Sequence, residues 1–334
     1  MDLQKRVLQI GAAAILCALL LRFGGSLVGR LTYAMSQPET ASLLLFLETG
    51  RVIRPAQPQA VTTEPTYPSE PTYVKEEKSI AVFSETDTAL VNVNNASGYE
   101  TDVAAFLQTP LNWDLTQDSP SVLILHTHGT ESYTNTENYQ ESAKYRTLDP
   151  QYNVISIGQA IADQLTAGGI PVIHDTTAHD HPSYNNAYNS ARNAIEDYLT
   201  QYPSIKLVLD IHRDSLEDDS GRQISATVPY HGGQAAKLML VMGTDAAGYV
   251  HPDWQENMAL AVKLHAQLEK TCSGICRPIS LRTQRFNQDL SPGALLIEIG
   301  AAGNTRQEAL AAAEVLSRAI LDLAYGASAS YTLS

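Results

Sequence analysis

Two histidines and a carboxylate close an apolar run in Ser121-Val122-Leu123-Ile124-Leu125-His126-Thr127-His128-Gly129-Thr130-Glu131. A second run, Lys206-Leu207-Val208-Leu209-Asp210-Ile211-His212-Arg213-Asp214, ends in side chains of the same kind. A third, Leu295-Leu296-Ile297-Glu298-Ile299, holds one glutamate among aliphatic residues. Neutral imidazole and carboxylate are the usual ligands of a catalytic zinc, three from the protein with a fourth position left for water. His128, Glu131 and His212 are the candidate ligands for Zn2+, and Glu298 the candidate general base that takes a proton from water and returns it to a leaving amine. Zinc would bring the pKa of its water to about 7, so hydroxide is available at neutral pH.

Each residue also has a plainer reading. A glutamate inside an apolar run costs several kcal/mol unless a metal, a cation or a raised pKa compensates, and an ion pair with Arg282 or Arg285 would serve. Asp210 and Asp214 stand two residues either side of His212 and share its face in a strand, which suits a carboxylate orienting a metal-bound ring. His126 points to the same side of its strand as His128, but it directly follows the apolar run. It is therefore expected beneath the site, hydrogen-bonded or packed in the core. Arg213 and Arg285 are candidates for supporting the ligands or binding substrate. His179, His181, His231 and His251 read as solvated loop histidines.

The elements that must position these residues follow from periodicity. Short continuous apolar runs read as strands buried on both faces of a parallel sheet, and ligands collect beyond the carboxyl ends of such strands. Between them lie predicted helices from about Asn153 to Gly168, Asn186 to Thr200 and Pro252 to Lys270, with a last one capped by Asn304. Strands near Gln223–Tyr230 and Lys237–Met242, with Gly232-Gly233 between, are expected to pair as a hairpin. The fold class is α/β: a mixed, mostly parallel twisted sheet flanked by helices.

Upstream, Lys5-Arg6 precede a mostly apolar stretch from Val7 to Val28 whose one charged residue is Arg22. It is read as an uncleaved membrane anchor with the bulk of the chain outside; a cleaved signal peptide is the alternative. Residues 1–31 are assigned to the anchor, and 32–119 to an extracytoplasmic segment containing a Pro/Thr/Glu-rich spacer around Pro55 to Pro71. Residues 120–334 are assigned to the catalytic domain. Whether residues 79–118 pack on that domain is left open. A net charge of −14 argues against nucleic acid as a partner. Cys272 and Cys276 could form a structural disulfide, with two free thiols the equal alternative.

Three segments together resemble one family: His126 to Tyr133, Asp210 to Ser215, and Asn287 to Gly300. They are similar to the stage II sporulation protein P family, within the zinc-dependent N-acetylmuramoyl-L-alanine amidases. The resemblance implies a peptidoglycan substrate cut at the amide between the glycan lactyl group and the stem peptide, with cross-link endopeptidase activity besides. It also implies a place at the cell membrane facing the intermembrane space during engulfment, beside stage II sporulation proteins D and M. The wider amidase group has its ligand glutamate about fifteen residues after the first histidine. Here that region reads Arg146-Thr147-Leu148-Asp149-Pro150. Glu131 is therefore the ligand candidate, with Glu137 and Glu141 in reserve. Two other readings stay open: a zinc carboxypeptidase or endopeptidase confined to wall peptides, and an inactive wall-binding scaffold.

Overall fold

The computed structural model describes residues 83–111, 114–134 and 145–326, all within a compact unit spanning Pro71–Ser334. The segment read as an anchor and the Pro/Thr/Glu-rich spacer, together with Glu137 and Glu141, lie outside the described residues. Among those described, no helix is long and apolar enough to cross a membrane.

A seven-stranded sheet organises this unit, in the order β1-β8-β7-β9-β4-β2-β3. Its strands are β1 (Val93–Asn95), β2 (Val122–Leu125), β3 (Val172–His174), β4 (Leu207–Asp214), β7 (Leu238–Met242), β8 (Ile279–Leu281) and β9 (Ala294–Ala301). Every neighbouring pair is parallel except β7 and β9. The helices are α1 (Val103–Gln108), α2 (Val154–Ala167), α3 (Ala187–Gln201), α4 (Trp254–Thr271) and α5 (Arg306–Tyr325).

Strand β2 shows why both faces must be covered. Val122 and Ile124 enter a large core that also holds the apolar faces of α2, α4 and α5. Leu123 and Leu125 point the other way, into a smaller core closed by Ala191 and Ile195 of α3. The period-two alternation of one strand thus splits between two apolar layers, and all four side chains are fully buried.

The structure differs from the sequence reading in several places. The segment upstream of Pro120, whose packing the sequence left open, joins the sheet: β1 pairs with β8 and α1 packs on α4. The hairpin is β5 (Thr227–Tyr230) with β6 (Gly233–Ala236), a separate antiparallel pair. Residues 238–242 instead enter the main sheet, where Leu238, Leu240 and Met242 are buried. Thr305, not Asn304, caps α5, since the Thr305 and Glu308 side chains satisfy each other's backbone N–H groups. Cys272 and Cys276 are free thiols. The chain leaves helical geometry at Cys272, and the Glu269 carboxylate holds the following turn through Gly274 N–H at 2.7 Å and Cys276 N–H at 2.8 Å.

Candidate metal centre

The carboxyl ends of β2, β4 and β9 bring the chemistry-bearing residues together. His212 and Glu298 are register partners on adjacent parallel strands. His128 lies three residues beyond β2, and the chain turns tightly there, with Glu131 N–H donating to the His128 carbonyl at 3.0 Å. This turn places Glu131 between the two imidazoles. Its Oε1 lies 3.5 Å from His128 Nδ1 and its Oε2 3.4 Å from His212 Nδ1. One ligand atom from each of the three residues falls within 4.8 Å of the others. Two imidazole nitrogens and a carboxylate, buried or nearly so, are the donor set that suits a zinc ion.

The surroundings fix these side chains. His212 Nε2 lies 2.9 Å from Asp210 Oδ1, close enough to pair although its N–H does not point along the contact. Asp210 also accepts from the Thr127 N–H and hydroxyl at 2.8 and 2.7 Å, which ties the His128 loop to β4. Burial opposes charge on His212, but Asp210 and Glu131 outweigh it and hold the imidazole well above its ordinary range. Burial acts to raise Glu131. His128, His212 and Arg213 overcome it and hold the carboxyl well below the usual carboxylate range.

Glu298 is in the opposite situation. Arg282 donates to Ser280 and Arg285 pairs with Asp289, so neither cation postulated from sequence supports Glu298. Its side chain keeps some solvent contact, but Oε2 is buried with no hydrogen-bond partner. Burial, with the nearby carboxylates of Glu131 and Asp214, pushes it up to about 8 against the opposing influence of His212. A carboxyl poised near neutrality beside a ligand set is what general-base chemistry requires.

The remaining candidates take different places. Asp214 does not share a task with Asp210. A register irregularity between His212 and Asp214 turns it aside, and it pairs with Arg277 at 2.6 Å. Arg213 supports Glu131: its backbone N–H donates to Glu131 Oε2 at 3.1 Å, and its guanidinium to the carbonyls of Ser132 and Tyr145. Arg285 instead pairs with Asp289, and its guanidinium lies over the Tyr249 ring. His126 is fully buried below the cluster and donates from Nδ1 to the Ile211 carbonyl at 3.0 Å. Burial, with His174 adding to it, depresses it to about 3, so the ring is neutral and Nε2 can accept from His174 at 2.9 Å.

Sequence reasoning missed Arg146, Asp180, Tyr184 and Tyr188. Arg146 bridges Glu131 Oε1 at 3.3 Å and Asp180 Oδ2 at 2.7 Å, while its guanidinium lies over Tyr184. Tyr184 stacks on His128 with centroids 4.6 Å apart, and Tyr188 meets the same ring edge-on at 5.6 Å.

Comparison with known proteins places this geometry in context. Solved structures similar to this chain include N-acetylmuramoyl-L-alanine amidase AmiC2 of Nostoc punctiforme (13% identity, 60% of this chain and 96% of that one, TM-score 0.36). An amidase from Clostridium difficile 630 is another (13% identity, 64% and 100%, TM-score 0.35). Stage II sporulation protein P of Bacillus subtilis strain 168 is 28% identical over 225 residues, 62% of this chain and 53% of the relative. This chain therefore spans about half the length of the curated relative it matches. The family model for stage II sporulation protein P (SpoIIP) matches residues 51–321, a range that takes in all four of His128, Glu131, His212 and Glu298. The chain belongs to the stage II sporulation protein P family.

Proposed function

We propose that this chain is a zinc-dependent peptidoglycan hydrolase acting in endospore formation, and that it cleaves the amide between N-acetylmuramic acid and the L-alanine of the stem peptide. One observation carries the reading. A single carboxylate, Glu131, lies between two imidazole nitrogens, and beside them on the next strand is Glu298 with an unpartnered oxygen. His128, Glu131 and His212 would hold Zn2+, which when bound supplies a water acidic enough to ionise near pH 7. Glu298 accepts the proton of the attacking water and delivers it to the departing amine. Asp210 orients His212, and Arg213 with Arg146 positions Glu131. Family membership supports the wall substrate and the sporulation role. The proposal extends to an anchor in residues 1–31, a place at the engulfing membrane, and partnership with stage II sporulation proteins D and M.

The test is incubation of the protein with purified peptidoglycan, with and without a chelator, followed by product analysis. Release of intact stem peptides bearing free L-alanine, abolished by chelation and restored by zinc, is expected. Products cut only within the peptides would establish the endopeptidase or carboxypeptidase reading instead. Full hydrolysis in rigorously metal-free protein would refute the zinc mechanism.

A further inference from the structure

Tyr188 is the second residue of α3, and helical periodicity alone would put it in the core with Ala191 and Ile195. The structure turns its ring to the metal centre instead. It meets His128 edge-on at 5.6 Å and lies 6.2 Å from the ring of Phe286. Asn287 Nδ2 donates to the Tyr188 carbonyl at 2.8 Å, fixing the start of the helix against the 285–288 turn.

That turn is held in an unfavourable conformation. Phe286 and Asn287 are consecutive non-glycine residues with φ of 51° and 57°, a region that bulky side chains rarely occupy. Gln288 N–H donates to the Arg285 carbonyl, and Gln288 Oε1 accepts from Gly243 N–H at 2.8 Å. A Cβ at Gly243 would come within 2.8 Å of Arg285 Cα, so the approach depends on glycine. The packing around Tyr188 is thus maintained against local strain, as is common where a side chain must be aimed.

Among the described residues its hydroxyl is uncommitted. Four other tyrosines of this unit use theirs: Tyr133 donates to the Ile299 carbonyl, Tyr230 to Glu314, Tyr325 to the Gly168 carbonyl and Tyr99 to Asp245. No described residue hydrogen-bonds the Tyr188 hydroxyl, although Asp210, Glu298 and Glu131 all lie within electrostatic reach of it. The nearby guanidiniums are otherwise engaged, Arg213 with two carbonyls and Arg146 with Asp180 and Glu131.

We propose that the Tyr188 hydroxyl donates a hydrogen bond to the oxyanion that forms on the scissile carbonyl, a role that rests on the hydrolase reading above. Water oxygen adds to the amide carbon while Glu298 takes the water proton, and the carbonyl π pair moves onto oxygen. The pair returns as the C–N bond breaks, and the amine leaves with that proton. Tyr188 keeps its own proton throughout, as a phenol of ordinary pKa about 10 does at neutral pH. A donor fixed before the reaction, in a partly dehydrated site, stabilises the transition state more than the ground state.

Tyr188→Phe removes the hydroxyl and keeps the ring. In the zinc-loaded full chain, zinc content, melting temperature and KM for peptidoglycan should match wild type, while kcat falls about 10²–10³-fold, the usual loss for one oxyanion donor. Binding of a phosphinate analogue of the scissile amide, a tetrahedral mimic, should weaken by calorimetry while binding of the intact substrate peptide does not. Unchanged kcat and phosphinate affinity would overturn the assignment, as would an equal loss of affinity for substrate and analogue. Absence of wall hydrolysis by wild type would remove the hydrolase reading, and the inference with it.

Discussion

His212 and Asp210, two residues apart on one strand, meet at 2.9 Å through Nε2 and Oδ1, which leaves His212 Nδ1 facing Glu131. The carboxylate therefore selects which ring nitrogen is presented to the ligand cluster. Asp210→Asn retains the shape and the Thr127 hydroxyl contact but removes the charge. Zinc affinity measured by competition with a chromophoric chelator should fall about 10–100-fold in folded protein, as for other partners of metal-bound imidazoles. An unchanged affinity would mean that Asp210 matters only for tying the loop to β4.

Glu298 should be separable from the ligands. Glu298→Gln keeps size and removes the proton acceptor, so zinc should remain stoichiometric while turnover drops by roughly 10²–10⁴-fold. The same change removes a carboxyl that burial and the nearby carboxylates push up to about 8, so holding it in the fold above the ordinary carboxylate range opposes folding, a cost that a neutral amide does not carry. Metal-free Glu298→Gln should consequently be more stable than metal-free wild type at neutral pH, by about 1–3 kcal/mol in urea unfolding. Loss of zinc from the variant would make Glu298 a ligand.

The two histidines of the first motif are expected to fail differently. His128→Ala should lose metal outright, since its ring supplies a donor beside Glu131. His126→Ala empties a fully buried site and breaks contacts to Ile211 and His174. It should cost about 2–5 kcal/mol of stability, as emptying a large buried side chain does, and weaken zinc at most about 10–100-fold. Zinc analysis and thermal melting on both variants decide the matter, and the reverse pattern would move the ligand to His126.

Gly158 offers a mechanical probe of the same region. A Cβ there would lie 2.5 Å from His126 Nε2 and 2.8 Å from His174 Nε2. Overpacking of this kind typically costs about 1–3 kcal/mol, set against a gain of up to about 1 kcal/mol from alanine's better helix propensity. Gly158→Ala should therefore destabilise the fold in denaturant titration. A stabilised variant would show that the histidine pair yields readily.

How much of this was legible in the sequence differs by kind of feature. Strands β2, β4 and β9 were readable because each is a run of aliphatic residues too continuous for a surface element. The ligand candidates were readable because they follow those runs directly. The short strands β1 and β8 were not, since three residues give no periodicity. Asp214 misled because alternation holds only while a strand stays regular, and the register shifts just before it. Tyr188 went unnoticed because its spacing is that of a buried helix face. Arg146 had no local signal at all: its partner Asp180 is 34 residues away and is brought near only by folding.

The sheet order has a consequence for self-association. Both outer strands, β1 and β3, are only three residues long, whereas β4 and β9 in the interior have eight each. At about 3.3 Å per residue, an incoming strand would find only about 10 Å of open backbone at either border. That is too little to template the growth of a continuous intermolecular sheet, so the longest and most apolar strands are screened from neighbouring copies by the shortest ones.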